Sequence, residues 1–383
     1  MSTLKQVAAE AEVSVSTASA ALRGMDIVRP DTIRKVEAAA RRVGYRVNLS
    51  ARALRNGRTG IFTAIVPDLG TAFYARFANS LSNALLAHGH RLVIQTSQYD
   101  AELELDLIRR ANASVCDGLF VCPTASNGDA VRQAAGDQPV ILFDGEDSGD
   151  TASLDRIETP NQSGMDAVIR HLAEDCGRTR IGIVGASDRS TPAAKGTRLR
   201  LSRCDYALRT MRSLGLNVEH APVVSDWGVE AGIATARRLV ADELAYDALC
   251  CMNDELAFGV LRGLAECGIR VPEDVAVTGF DGIPGCTYVT PTLTTVAVDA
   301  DGMAQAAVSM MERRVGIGGA GLTGDGTVAA DAASGNGTAS RGNSSRRSRA
   351  GSRTEADPRN TIASQRLIAG FRLIVRESTA GRA

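Results

Sequence analysis

The sequence predicts an N-terminal all-α headpiece with a helix-turn-helix, followed by an α/β body of two lobes whose parallel sheets are flanked by helices. A chain of 383 residues is long enough for a small module and a body with sizeable cores. Only helical patterns occur before residue 44, whereas from Ile61 short apolar runs alternate with longer amphipathic stretches. This alternation is typical of parallel strands joined by right-handed helical crossovers. Its length exceeds what one small sheet accommodates, which indicates two similar lobes.

Three short helices are predicted in the headpiece. The first is capped by Thr3 and Gln6, which have the spacing of a capping box. Ser14 can cap a second helix over residues 15–22, and a third helix is predicted over residues 30–43. The tight turn between the first two helices is the helix-turn-helix pattern, and a generic three-helix bundle is the alternative.

Seven apolar runs in the body predict buried strands. They lie at residues 61–66, 91–95, 118–122, 140–143, 180–185, 248–252 and 275–280. Amphipathic stretches predict flanking helices at residues 75–87, 161–173, 229–240 and 254–267. Strands that are apolar along their whole length are typical of parallel sheets covered on both faces. A last strand is predicted at residues 372–375.

Residues 316–360 interrupt this pattern. They contain ten Gly, eight Ala and six Ser residues, no aromatic residue and an arginine-rich end. Such a composition buries too little apolar surface to offset the entropy of ordering the chain, so we predict a disordered insertion. We expect its arginines to be solvated, with added non-specific affinity for phosphates as the alternative.

Positive charge is concentrated at the N-terminus. Residues 1–60 contain eleven Lys and Arg residues against five Asp and Glu residues, whereas the whole chain has a formal net charge of -1. A basic module on a neutral body indicates a polyanionic partner for that module alone. The alternative is a solvated charged face without a partner.

The sequence argues against an enzyme or a metal protein. Its eight cysteines include no C-x-x-C pair, so we expect buried reduced thiols rather than a disulfide framework or a zinc site. His88 and His90, at a predicted helix end, are interpreted as capping or surface groups rather than metal ligands. No G-x-G-x-x-G follows a strand, and neither a P-loop nor a G-x-S-x-G elbow occurs. We therefore expect no catalytic residue and no cofactor.

The sequence also predicts where the protein works. No apolar run approaches the roughly 18–20 residues that span a membrane. No signal-peptide pattern precedes the first predicted helix. We therefore expect a cytoplasmic protein without a membrane partner.

Six segments along the chain are similar to one protein family. They are TLKQVAAEAEVSVSTASAALRG at residues 3–24, GYRVNLSARALRNGRTG at 44–60, CMNDELAFGVLRGL at 251–264, VPEDVAVTGFDGIP at 271–284, TPTLTTV at 290–296 and VREST at 375–379. Each segment is weak alone. Taken in this order over most of the chain, they resemble the lactose-repressor (LacI/GalR) family of transcriptional regulators.

The resemblance implies three parts with different functions. Residues 1–47 correspond to a helix-turn-helix headpiece that binds operator DNA, and residues 48–59 to a hinge helix and linker. Residues 60–383 correspond to a body similar to periplasmic sugar-binding proteins, which binds a small effector and dimerises. The C-terminus carries no leucine heptads, so a homodimer is expected rather than a tetramer. The resemblance implies a repressor controlled by a small ligand, expected to be a sugar, and both release of DNA by the ligand (an inducer) and promotion of DNA binding (a corepressor) stay open. The alternative is a solute-binding protein or a degenerate regulator without specific DNA binding.

The second helix is expected to lie in the major groove of DNA. In the family, positions that match Val15 and Ser16 contact bases, whereas Thr17 and Ser19 are suited to phosphate contacts. The alternative is that these small residues only fill the helix surface. Ala20 stands where many relatives have an arginine, which predicts a different operator preference or a greater dependence on DNA shape.

Residues 48–56 resemble the family's hinge helix. Asn48 can cap this helix, and Leu54 is expected to open a base step from the minor groove. The alternative is that Leu54 is an ordinary packing residue. A helix this short is marginal alone, so it is expected to form only when the dimer and DNA support it.

The resemblance also places effector-binding residues in the second lobe. Asn253 and Asp281 follow predicted strands and match positions at which relatives bind the effector. Trp227, the only tryptophan, matches a position that stacks on the ligand, with core packing as the alternative. An arginine is also expected in the helix after the GIVGAS turn. It is Arg200 in the register that we favour, or Arg203 if the register is counted back from the glycine after that helix.

In the first lobe, Asp68, Phe73 and Tyr74 follow the first strand, where relatives also contact the ligand. Helix-core packing of Phe73 and Tyr74 is the alternative. Ser163 stands where a sugar-binding relative has an acid, which leaves the preferred effector open.

Overall fold

The computed structural model describes residues 2–22, 27–45, 58–112, 114–123, 126–144, 154–186, 203–316 and 363–380. The chain divides into two compact units, Met1–Gly60 and Ile61–Ala383. We refer to them as the headpiece and the body. Apart from Gly316, the insertion predicted at residues 316–360 lies outside the described residues.

The headpiece contains the three predicted helices. They are α1 (Leu4–Glu10), α2 (Val15–Ala21) and α3 (Pro30–Arg42). The capping box is confirmed, because the Thr3 N–H donates to Gln6 Oε1 at 2.7 Å and the Gln6 N–H donates to Thr3 Oγ1 at 3.4 Å. Ser14 caps α2 by accepting from the Thr17 N–H at 3.0 Å. Local capping therefore fixes the start of both helices of the predicted helix-turn-helix.

Small side chains form the core of the headpiece. Val7, Ala18, Val36 and Ala39 are fully buried where the three helices meet. Alanine at such contacts allows short helices to approach closely, and their mutual packing supplies the stability that each lacks alone.

The body contains two six-stranded sheets, one in each lobe. The first lobe has β1 (Ile61–Val66), β2 (Arg91–Thr96), β3 (Gly118–Val121), β4 (Val140–Phe143), β5 (Asp155–Glu158) and β11 (Arg366–Ile368), in the order β11-β5-β4-β3-β1-β2. The second lobe has β6 (Ile181–Ala186), β7 (Pro222–Val224), β8 (Ala248–Cys251), β9 (Ala276–Asp281), β10 (Thr294–Val298) and β12 (Phe371–Ile374), in the order β12-β10-β9-β8-β6-β7. Among the described residues, neighbouring strands pair in parallel, except that β10 pairs antiparallel with the edge strand β12.

Helices cover the sheets. They are α4 (Ala72–Ala87), α5 (Ala101–Arg110), α6 (Gly128–Ala135), α7 (Asn161–Arg170), α8 (Arg203–Ser213), α9 (Val229–Ala241), α10 (Asp254–Glu266), α11 (Ala300–Val315) and α12 (Glu377–Ala380). A π-helical turn, His171–Asp175, extends α7, and a 3-10 turn spans Pro284–Thr287. No helix within the described ranges is long and apolar enough to cross a membrane.

The chain passes three times between the lobes. The passages lead from β5 to α7, from β10 to α11 and from β11 to β12. The seven strands and four helices predicted for the body, and the strand predicted at its C-terminus, are confirmed within a few residues. The sequence patterns missed β5, β7, β10 and β11, together with α5, α6, α11 and α12, whereas the helix expected after the GIVGAS turn is α8.

Strand β5 was missed because its sequence, DRIE, contains three charged residues, although all four residues are buried. Arg314 of α11 donates to both carboxylate oxygens of Asp155, at 2.8 and 2.9 Å. Arg366 of β11 donates to Glu158 at 2.8 Å. Buried charges require partners, and here ion pairs replace apolar side chains, which a hydrophobic pattern cannot detect.

The cysteines are free thiols, as expected, but not all of them are buried. Five are buried, Cys176 and Cys204 are half-buried, and Cys267 is exposed at the C-cap of α10. The expectation of uniform burial is therefore wrong for these three. Strand cysteines lie inside a covered sheet, whereas a residue that ends a surface helix reaches solvent.

Candidate ligand cleft and DNA-binding surface

Helix α2 presents its first turn at the headpiece surface. Val15 is 43% exposed and Ser16 is also exposed, whereas Thr17 and Ser19 are half-buried and Ala20 is 7% exposed. The Ser14 hydroxyl is hydrogen-bonded to Ser16 Oγ at 2.7 Å and to Thr17 Oγ1 at 2.8 Å. The first turn is thus ordered by its own cap while one apolar and one hydroxyl side chain remain accessible.

The headpiece also carries exposed positive side chains. Lys5, Arg29 and Arg41 are exposed, and Arg42 forms an ion pair with Glu10 at 2.8 Å. Exposed pairs of this kind are worth little, so the basic character of the headpiece remains available to an anionic partner. The predicted hinge residues Asn48 and Leu54 lie outside the described residues.

Arg203, at the start of α8, is the centre of a polar cluster in the second lobe. Its Nε donates to Asn161 Oδ1 at 2.8 Å and its Nη1 donates to the Met252 carbonyl at 2.5 Å. Its Nη2 lies 3.2 Å from Asp281 Oδ1. The guanidinium is therefore held by the N-terminal end of α7 and by residues that follow β8 and end β9.

The same guanidinium lies on an aromatic surface. Its central carbon is 3.9 Å from the centroid of the Phe280 ring and 5.5 Å from that of Trp227. Both distances are within the range of a cation–π contact. The Trp227 Nε1–H donates to the Gly185 carbonyl at 2.8 Å, and the side chain stays 43% exposed. Trp227 is therefore fixed in orientation but not packed in the core.

Asp281 ends β9 in a strained and buried position. Its φ is 114°, in the left-handed region that is unfavourable for a residue with a Cβ, and the residue is 6% exposed. Burial raises the pKa of the Asp281 carboxyl, Arg203 opposes this effect, and the nearby Asp254 adds to it. Strain and a perturbed carboxylate at a strand end are typical of a functional site.

Asn253 and Asp254 begin α10 beside this cluster. Asn253 is the N-cap, and its Oδ1 accepts from the Leu256 N–H at 2.9 Å. Asp254 is fully buried and accepts from Thr295 Oγ1 at 2.6 Å and from the Ile283 N–H at 2.9 Å. The capping bond leaves the side-chain amide N–H groups of Asn253 for other partners.

In the first lobe, Asp68 follows β1 and is fixed by three bonds. Its carboxylate accepts from the Thr71 N–H at 2.6 Å, from Thr71 Oγ1 at 3.0 Å and from the Tyr99 hydroxyl at 2.5 Å. Burial acts to raise the pKa of Asp68, but the bonds from Tyr99 and Thr71 outweigh it and lower the pKa. Asp68 is therefore an oriented carboxylate.

Phe73 and Tyr74 lie in the first turn of α4, close to Asp68. Both are half-buried and pack against the core, and their ring centroids are 5.6 Å apart in an edge-on arrangement. Phe73 also stacks on Phe77, with centroids 6.5 Å apart. These contacts agree with the helix-core alternative, although neither residue is fully buried.

The two lobes are in contact close to Asp281. Arg76 of α4 donates to the Gly282 carbonyl at 2.8 Å, which joins the helix after β1 to the residue after Asp281. The structure thus groups Arg203, Trp227 and Asp281, with Asp68, Phe73 and Tyr74 on the facing edge of the first lobe. Sequence reasoning missed Asn161, Phe280 and Tyr99, because their roles depend on the position of Arg203 and of Asp68.

Two predicted site residues, Arg200 and Ser163, are not part of this group of described residues. Arg200, the arginine favoured from the sequence, lies outside the described residues, whereas Arg203 makes the contacts described above. Ser163 is exposed on α7 and lines a separate cavity at the junction of the lobes. His88, one of the two histidines interpreted as capping or surface groups, is the C-cap residue of α4, and its Nδ1 is 2.8 Å from Glu312 Oε1.

Comparison with protein families matches both units. The model of bacterial regulatory proteins of the lacI family matches residues 3–48, and that of periplasmic binding protein-like domains matches residues 169–328. The transcriptional regulator MalR of Streptomyces coelicolor is 30% identical over 324 residues, which cover 82% of this chain and 90% of that protein. The ribose operon repressor of Escherichia coli is 28% identical over 319 residues, covering 82% and 93%.

Solved structures share the fold of this chain. A transcriptional regulator of the LacI family from Sanguibacter keddieii is 27% identical with a TM-score of 0.64, covering 85% of this chain and all of that one. The lac repressor dimer bound to operator and an anti-inducer has a TM-score of 0.74 at 19% identity, covering 99% of both chains. The regulator CelR in complex with cellobiose has a TM-score of 0.63 at 21% identity, covering 99% and 100%. The chain therefore belongs to the LacI family of transcriptional regulators.

Proposed function

We propose that this chain represses transcription by binding operator DNA with its headpiece, and that a sugar held between the lobes controls this binding. The environment of Arg203 is the observation that carries the proposal, since a fixed guanidinium, a carboxylate and two aromatic rings converge there. A sugar ring needs hydrogen-bond partners at its hydroxyl edge and an apolar platform for its C–H face. CelR, a structural relative, was determined with cellobiose.

Each side of the cleft has a role in this proposal. Asp281 and Asp68 accept hydrogen bonds from sugar hydroxyls, and Arg203 donates hydrogen bonds to the hydroxyl oxygens. Trp227 stacks on the face of the ring. Asn253 offers its side-chain amide while its oxygen caps α10. Phe73 and Tyr74, which are half-buried, border the cleft on the first-lobe side. The relatives are transcriptional regulators, and the proposal includes no catalytic step.

In the headpiece, Val15 and Ser16 meet base edges, while Thr17 and Ser19 meet phosphates. Val15 can contact only apolar features such as a thymine methyl, whereas Ser16 donates or accepts. The exposure of the first two residues supports this assignment. Since its proposed binding partner is chromosomal DNA, the protein is proposed to act in the cytoplasm.

A second copy of the chain is proposed to cover the edge strand β2. Val93 and Ile94 of this strand are 44% and 37% exposed, and Tyr99 after it is 55% exposed. Exposed apolar residues on a sheet edge favour association with another chain. The lac repressor with which the chain shares its fold was determined as a dimer. Two headpieces then meet two half-sites of one operator.

Control by the sugar follows from population shift. A ligand that contacts both lobes favours one relative orientation of the lobes, and operator affinity changes with that orientation. A coupling free energy of about 1–3 kcal/mol changes affinity by roughly five-fold to 150-fold.

The function is tested by fluorescence anisotropy with DNA from the region upstream of the gene, across a salt series and with a panel of sugars. We expect one pseudopalindromic site to be bound at nanomolar concentration, with a steep negative salt slope. One sugar is expected to shift the binding curve. Sugar binding without preference for any DNA fragment would instead indicate a solute-binding protein.

A further inference from the structure

A second cavity lies where the chain first passes from β5 to α7, apart from the Arg203 cluster. Its volume is about 440 Å³, within the range of small-molecule sites. Its lining includes Glu158 and Arg366 of the first lobe, and Ser163, Asp166, Tyr206 and Arg209 of the second. Any occupant of this cavity therefore contacts both lobes.

The charges that line the cavity are balanced and partly paired. Arg366 donates to Glu158 at 2.8 Å, and Asp166 accepts from Thr210 Oγ1 at 3.1 Å and from Arg170 Nε at 3.1 Å. Two carboxylates and two guanidiniums line the same space. This balance disfavours a strongly charged ligand, since either sign of charge would meet a like charge.

The chemistry suits a neutral molecule with many hydroxyl groups. Carboxylates accept hydrogen bonds, guanidiniums donate them, and the Ser163 hydroxyl does both. The half-buried ring of Tyr206 offers an aromatic platform for C–H groups. We infer that this cavity is a second sugar-binding site, distinct from the cleft at Arg203.

One residue connects the cavity with the cleft. Asn161 lines the cavity, and its Oδ1 accepts from Arg203 Nε at 2.8 Å. A sugar bound in the cavity therefore reaches the residue that orients the cleft arginine, and the two sites are coupled. The inference deepens the proposed function and rests on it for the class of ligand.

The test separates the two sites by variants of the full-length protein. Arg203→Ala disables the cleft, whereas Arg209→Ala and Ser163→Trp act on the cavity, the first by removing a donor and the second by filling space. Both cavity residues are exposed, so both variants are expected to fold. Arg212→Ala, on the same helix but outside the lining, is the matched control.

Calorimetry with ribose, lactose and cellobiose measures total binding, and the fluorescence of Trp227 reports the cleft. We expect at least one sugar to bind the Arg203→Ala protein, and this binding to weaken at least tenfold when Arg209→Ala or Ser163→Trp is added, but not Arg212→Ala. If the Arg203→Ala protein binds none of them, or if its binding is unaffected by both cavity variants, the inference is wrong. Operator binding by the same samples tests the proposed function separately. The cavity can bind a sugar without any effect on operator binding, and a sugar in the cleft can control operator binding when the cavity binds nothing.

Discussion

Nη2 of Arg203 lies 3.2 Å from Oδ1 of Asp281, and both side chains are about nine-tenths buried, with 10% and 7% exposure. The pair links the start of α8 to the end of β9. A buried carboxylate in a left-handed conformation is unfavourable in itself, so the pair indicates that a polar site is maintained here at the expense of stability.

Breaking this pair is expected to destabilise the body. Arg203→Met keeps most of the side-chain volume but leaves Asp281 buried without its cation, which should lower the free energy of unfolding by about 3 kcal/mol. Urea unfolding measures this change. Adding Asp281→Asn should restore at least about 1 kcal/mol relative to the sum of the single changes. Additive effects of the two substitutions would show that the residues do not interact.

The raised pKa of the Asp254 carboxyl should make the stability of the protein depend on pH. Burial raises the pKa of this carboxyl, and hydrogen bonds from Thr295 and Ile283 only partly oppose the effect. An acid with a raised folded pKa takes up a proton on folding between its ordinary and its raised pKa, so its contribution to stability grows as pH falls through that window. Since the folded pKa is about 6, the wild type should gain stability relative to Asp254→Asn as pH is lowered from about 6 to about 4. A difference that does not change with pH would contradict this assignment.

The two hydroxyl residues of α2 are expected to act differently on DNA. Ser16→Ala should weaken operator binding about five-fold to tenfold while leaving random DNA unaffected, because it removes a base contact. Thr17→Ala should weaken binding to operator and to random DNA equally, because it removes a phosphate contact. Anisotropy titrations on both DNAs measure the contrast. Since both hydroxyls also bond to Ser14, melting temperatures of the variants serve as the control.

Charge on the β2 edge is expected to prevent dimerisation. Val93→Asp combined with Ile94→Asp places two carboxylates in the proposed apolar interface, and burying them without partners is strongly unfavourable. Sedimentation should show monomers, and operator affinity should fall at least about 100-fold because one headpiece contacts only a half-site. Val115→Asp, at an exposed valine outside the strand, is the matched control and should remain dimeric. A dimer that persists in the double variant would place the interface elsewhere.

Apolar periodicity was sufficient to predict the headpiece helices and most central strands, because in both cases burial selects the side chains that form the pattern. It failed for β5, where Asp155 is buried by pairing with Arg314 across more than 150 residues of sequence. No local pattern contains such a partner. The strand is nevertheless part of the junction between the lobes.

The sequence predicted which strand ends carry the candidate cleft residues, but not the start of the helix that carries the arginine. Asp281 and Asn253 could be proposed because they directly follow apolar strands, whose carboxyl ends meet at one edge of a sheet. The choice between Arg200 and Arg203 depended on where α8 begins, and helix starts are poorly defined by sequence. Arg200 lies outside the described residues, and the contacts of Arg203 with Asn161 and Phe280 are the reason that the proposal uses Arg203.

The central claim is that a sugar held by Arg203 controls operator binding. The most direct test titrates the sugar that acts on the wild type into operator complexes of the wild type, Arg203→Ala and Arg212→Ala. We predict that the wild type and Arg212→Ala shift operator affinity by roughly five-fold to 150-fold, while Arg203→Ala binds operator but responds at least tenfold less to the sugar. An unchanged response in Arg203→Ala would contradict the account.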